Sequence, residues 1–168
     1  MTDELTAFLQ DEAIGCGDSA GLVRLIRARP PAERSAIRVY DDSSGRAVDL
    51  DYRDDAPVAP QARGRGRPRL GVTAREVTLL PRHWDWLAGQ PGGASAAIRR
   101  LVDEARQAPP TLQARRDRAY RFMADRCGDR PGYEEALRAL YRGEGERLEK
   151  LIAAWPVDVR AYIAKLLG

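Results

Sequence analysis

The chain has 168 residues, 43% of them apolar and 32% charged, with a net charge of +3 and a mean hydropathy of −0.50. That is enough for one modest domain or two small ones, each with a core. No stretch approaches the roughly 18 apolar residues of a membrane span, and Asp3 and Glu4 stand where a signal peptide carries basic residues, so a cytoplasmic protein without membrane association is expected. Cys16, Cys127 and the single histidine, His83, are too few soft ligands for a zinc or iron–sulfur site. Both cysteines are expected to be buried apolar groups rather than redox centres.

Charge is unevenly spread. Residues 1–60 carry a net −5, residues 61–108 a net +5 and residues 109–168 a net +3. Of 28 basic residues only Lys150 and Lys165 are lysine, a bias that a GC-rich genome explains as readily as a ligand does. Arginine position therefore says more than arginine abundance.

Residues 1–56 read as an N-terminal αβ unit. Thr6 and Phe8, then Ile14 and Cys16, alternate around Gln10-Asp11-Glu12 as a hairpin would. Asp18 or Ser19 can cap a helix carrying Leu22, Val23 and Ile26, which Pro30-Pro31 stops. Ile37 and Val39 alternate with Arg38 and Tyr40, the chain turns at Asp42-Ser43-Ser44-Gly45, and Val48, Leu50 and Tyr52 alternate with Asp49 and Asp51, which predicts a second hairpin.

Residues 57–71 change to Pro, Ala, Gly and Arg with no apolar period, the composition of a linker. In residues 72–108 a short strand over 75–80 is followed by Pro81 at a helix N1 position. The helix bears Trp84, Leu87 and Ala88, and breaks at Gln90-Pro91-Gly92-Gly93. A second helix carries Ala97, Ile98, Leu101, Val102 and Ala105 on one face. Residues 109–168 read as a helical bundle, with apolar sets led by Ala119, Phe122 and Met123, by Tyr133, Ala136 and Leu140, by Leu148, Ile152 and Trp155, and by Val159, Tyr162, Ile163 and Leu166. The fold class is α+β, with no internal repeat.

The sharpest local feature is Arg63-Gly64-Arg65-Gly66-Arg67-Pro68-Arg69, whose Gly-Arg-Pro core resembles an AT-hook. The physics fits a narrow A·T-rich minor groove: the groove concentrates negative potential, Gly66 admits close approach and Pro68 keeps the backbone extended. Arg65 and Arg67 would insert, and Arg63 and Arg69 would touch phosphates. The plain alternative is a solvated Arg-rich linker. Residues 75–106 resemble the ribbon-helix-helix DNA-binding proteins, in which two chains pair their strands and the ribbon enters the major groove. Period 2 places Arg75, Val77 and Leu79 on the groove side, so base readout would rest on Arg75; the alternative is a βαα element that binds nothing. At the second helix start, Gly93-Ala94-Ser95 could hold a phosphate, or Gly93 could simply cap the helix.

Other candidates are poorer. Asp41, Asp42, Asp49 and Asp51 surround the hairpin turn, where paired carboxylates can bind Mg²⁺ or merely cover an exposed face. His83 could exchange protons near neutral pH, but neither residue beside it in sequence, Arg82 or Trp84, is a nucleophile or a carboxylate. No GxSxG, Walker loop or dinucleotide fingerprint occurs, so neither enzyme activity nor a cofactor is expected.

Asp41-Asp42 with Gly45-Arg46 and Asp49-Leu50-Asp51, residues 66–72, residues 76–87, residues 90–95 and residues 155–160 form a set of segments that spans nearly the whole chain. On these segments the chain resembles a bacterial family, domain of unknown function 2239. The resemblance implies a bacterial cytoplasmic protein and supplies no activity. The sequence therefore points to a regulatory or chromosome-associated DNA-binding homodimer with Arg63, Arg65, Gly66, Arg67, Pro68, Arg69, Arg75 and Ser95 at the DNA. The alternative is a non-catalytic dimerisation or protein-interaction module.

Overall fold

A computed structural model describes residues 4–53 and 75–168, apart from the Arg106 side chain. They divide into two compact units, one of residues 4–53 with 110–168 and one of residues 75–109. The fold is α+β, with eight helices and one four-stranded antiparallel sheet among the described residues.

The first unit is organised by its sheet, built from β1 (Leu5–Leu9), β2 (Glu12–Gly17), β3 (Ile37–Asp41) and β4 (Ala47–Val48) in the order β2-β1-β3-β4. Residues alternate between its faces. On one face Leu5, Ala7, Ile37 and Val39 pack with Leu22 and Ile26 of α1 (Ser19–Arg27). On the other, Phe8 and Tyr40 join Phe122 of α5 (Leu112–Arg126) and Tyr162 of α8 (Val157–Leu167) in the larger core. These four rings lie 4.7–6.2 Å apart, centroid to centroid. The N-terminal αβ segment and the C-terminal helices, assigned to separate units above, thus share one core. Helices α6 (Tyr133–Arg142) and α7 (Gly145–Leu151) complete it with Ala136, Leu140 and Leu148.

Both expected hairpins form, with local differences. The β1–β2 register slips between Ala7 and Phe8, so that Ile14 is an extra residue between Gly15 and Ala13, a bulge of the kind that bends an edge strand. Asp18, not Ser19, is the α1 cap, its Oδ1 accepting from Gly21 N at 2.7 Å. Helix α1 ends at Arg27, and Pro31 then opens the short helix α2 (Pro31–Arg34), as fixed φ allows at N1. Strand β4 stops at Val48; Leu50 and Tyr52 continue outside the ladder but still pack against the α1 face.

The second unit is a helix pair, α3 (Pro81–Ala88) and α4 (Gly93–Gln107). The strand expected over residues 75–80 is absent: these residues carry no regular structure. A strand exists only by pairing, and a single copy gives this segment no ladder partner. On α4, Ala97 is buried while Leu101 and Val102 are 42% and 50% exposed.

Candidate functional site

The arginine tract Arg63, Arg65, Gly66, Arg67, Pro68 and Arg69 lies outside the described residues. Of the remaining candidates, Arg75 and Ser95 are both exposed. Ser95 sits in the first turn of α4, whose N-cap is Gly92 (φ +80°) rather than Gly93, without a side-chain cap. Gly93 N donates to Gln90 O at 3.0 Å, so one of the donors considered for a phosphate is already used.

Arginines differ within the first unit as well as between the two: Arg24, Arg38 and Arg46 of the first are exposed, and their side chains have no hydrogen-bond or ion-pair partner among the described residues. In the first, the row along α5 is spent on carbonyls at helix ends and the hairpin. Arg115 donates to Leu167 O and Gly168 O at 3.3 and 3.0 Å, and Arg118 to Leu166 O, closing the C-terminus of α8. Arg116 donates to Tyr141 O at 3.3 Å at the end of α6, and Arg121 to Ser44 O at 2.9 Å. Cations at helix C-termini meet both orphan carbonyls and the negative end of the dipole. In the second unit, Arg75, Arg82 and Arg99 are exposed and have no hydrogen-bond or ion-pair partner among the described residues. Only Arg75 of these three was singled out from sequence. Arg82 and Arg99 carry no signal beyond their charge.

The same unit holds Val77, Leu80, Trp84, Trp86, Leu101 and Val102, each 41–55% exposed. Among its described residues only Leu87 and Ala97 are buried apolar side chains. His83, exposed on α3, has no acidic or nucleophilic partner among the described residues.

The aspartates are not one exposed acidic face. Asp41 shapes the turn: its carboxylate accepts from Ser43 N and Ser44 Oγ, both at 2.8 Å. Burial raises its pKa, but these bonds outweigh that and hold it below the ordinary value. Asp42 points inward, with an 11% exposed side chain. It accepts from Thr6 Oγ1 at 2.8 Å and Tyr162 Oη at 2.7 Å, and pairs with Lys165 Nζ at 2.6 Å. Burial lowers the Lys165 pKa, but Asp42 more than offsets this and raises it; burial and the bond to Asp42 together push Tyr162 up. The group therefore joins β1, the hairpin and α8 with an ammonium and a neutral phenol, and leaves the Asp42 carboxylate occupied. Asp49 is exposed, and Asp51 makes a surface ion pair with Arg53 at 2.8 Å. Among the described residues no cluster of three His, Cys, Asp or Glu side chains is placed to hold a metal ion.

The two cysteines also differ. Cys127 is buried, and burial pushes its thiol up to about 11; Cys16 is exposed. The expectation that both are buried fails for Cys16 because β2 is an edge strand.

Residues 4–167 match the family DUF2239, described as an uncharacterized protein conserved in bacteria. The chain belongs to this family. No curated protein and no solved structure matches it. Among the described residues of this DUF2239 chain, no helix is long and apolar enough to cross a membrane.

Proposed function

We propose that the protein is a non-catalytic DNA-binding protein of the bacterial cytoplasm, regulatory or chromosome-associated, acting through residues 63–69 and the helix pair that follows. The observation that carries this reading is the uncommitted exposed charge of Arg75, Arg82 and Arg99 directly after Arg63, Arg65, Arg67 and Arg69. Guanidinium groups already bonded to carbonyls, as along α5, have less to offer a phosphate, whereas uncommitted ones release counterions when they meet DNA. Gly66 and Pro68 suit the tract to a minor groove, as in an AT-hook, and the helix pair suits the ribbon-helix-helix arrangement in which two copies pair residues 75–80.

Fluorescence anisotropy with A·T-rich and G·C-rich duplexes at several salt concentrations tests the reading. Affinity should fall with salt, with a log–log slope of about −0.9 per phosphate neutralised. Arg67→Ala should erase the A·T preference; Arg63→Ala should weaken all duplexes alike and flatten the slope by about one unit. Absence of binding at about 50 mM salt, where electrostatic binding is strong, overturns it.

A second reading, a homodimerisation module without DNA, is favoured by the six exposed apolar side chains of the second unit, Val77 and Leu80 before α3 and Trp84, Trp86, Leu101 and Val102 on the helices, since exposed apolar surface marks an interface. Sedimentation separates the cases: a species twice the 18.6 kDa chain mass without DNA affinity supports the module alone, and a monomer at tens of micromolar removes dimerisation from both.

A further inference from the structure

A trough of about 520 Å³ runs between α7 and α8 in the first unit, within the range of about 300–1,000 Å³ typical of small-molecule sites. Its floor is apolar: Leu148, Ile152 and Ile163 line it and are 3%, 5% and 1% exposed. Two charged side chains, Glu149 and Arg160, line the same trough without pairing with each other or with another charged group among the described residues. Arg160 Nε donates to Trp155 O at 3.1 Å. That bond anchors the guanidinium, while its two terminal nitrogens have no protein partner among the described residues.

We propose that this trough binds a small apolar amino acid as the zwitterion, with its ammonium at Glu149, its carboxylate at Arg160 and its side chain on Leu148, Ile152 and Ile163. Charge complementarity selects this class. A fatty acid would satisfy Arg160 and leave Glu149 without a counter-charge. An apolar amine would do the reverse. A wholly polar ligand would gain nothing from the apolar lining, which includes the 67% exposed Val157. The anchored guanidinium offers a carboxylate the forked donor geometry that lysine lacks. The proposal stands independently of DNA binding, since all of these residues belong to the first unit.

The experiment is an amide-resolved NMR titration of the full chain with L-leucine, L-phenylalanine, glycine, N-acetyl-L-leucine and L-leucinamide. Leucine and phenylalanine should saturate in the low-millimolar range, about 1–10 mM, and should shift the amides of Gly145, Ala161 and Ala164. Glycine should not saturate. Because the charge contacts are partly solvated, each blocked analogue should bind about threefold more weakly or worse. Ala164→Phe, at an exposed trough position, should abolish saturation while thermal unfolding is unchanged; if that variant does not fold, Glu149→Gln should selectively weaken leucine towards the affinity of its N-acetyl form. Equal binding of the blocked analogues, shifts confined to other residues, or no saturation by about 20 mM leucine overturns the proposal.

Discussion

Both units carry helices with apolar periodicity, yet they use it differently. In the first unit Phe8, Tyr40, Phe122 and Tyr162 converge from two strands and two helices and are 0–4% exposed. In the second, Leu101 and Val102 follow the same helical spacing but remain 42% and 50% exposed. The difference is one of supply. A helix face is buried only where something opposes it, and in the first unit a sheet with α1 on one face and α5 and α8 on the other opposes the faces that carry Leu22, Phe122 and Tyr162. A period in the sequence therefore identifies a face that is able to pack; it does not identify what packs on it.

The largest test of this contrast is truncation in each unit. Phe122→Ala should cost about 3–5 kcal/mol in chemical denaturation, because its removal opens a cavity among three other rings. Leu101→Ala should change stability by less than about 0.5 kcal/mol if α4 is solvated as in a single chain. A larger effect for Leu101→Ala that depends on protein concentration would show that a second copy covers α4.

Next comes the polar tie between sheet and α8. Asp42→Ala removes the acceptor for Thr6 and Tyr162 and the counter-ion of Lys165. The expected loss is about 2–4 kcal/mol, below that of a fully buried pair since Lys165 reaches solvent. A loss under about 0.5 kcal/mol in urea unfolding, the level of an ordinary surface substitution, would show that this network does not hold the first unit together.

Gly45 tests the approach of the hairpin to α5. Its φ is +69°, and an added Cβ would stand 1.9 Å from Arg118 O. Gly45→Ala should cost about 1–3 kcal/mol through strain and a lifted turn. Its nearest diagnostic is loss of the Arg121–Ser44 contact, read from the Ser44 and Arg121 NMR signals.

Alkaline pH should weaken the first unit more gently. Burial raises the Cys127 thiol from its ordinary 9 to about 11. The unfolded chain thus ionises first, and stability that is full below pH 9 should fall as pH rises toward 11. Tyr40 and Tyr162, also raised chiefly by burial, act in the same direction at higher pH. Denaturation midpoints across pH 8–11 provide the check, and Cys127→Ala should reduce the slope. The smallest effect is chemical: an aromatic disulfide reagent should label Cys16 in the folded protein and reach Cys127 only on unfolding.

Much of the local structure was legible in the sequence. A cap at Asp18 or Ser19, the turn ending at Gly45, Pro81 at N1 and the glycine break at 92–93 all appear in place, because caps and turns depend on the chemistry of a few adjacent residues. The candidate site was less legible. Asp42 reads as one of four hairpin acids, and only its approach to Thr6, Tyr162 and Lys165, up to 123 positions away, makes it an internal counter-ion. The α5 arginines likewise read as net charge until the carbonyls of α8 and α6 are placed against them.

By itself, the sequence determined the α+β class, the positions of most helices, the hairpins and the basic tract at residues 63–69, all of which follow from short-range periodicity, turn chemistry and charge. Only the tertiary structure decided that the first and last thirds of the chain share one core, that residues 75–80 lack a strand in a single copy, and which arginines and aspartates are already committed. Those outcomes depend on contacts between residues distant in the chain, and burial, ion pairing and strand formation are properties of such pairs, not of the separate residues that make them.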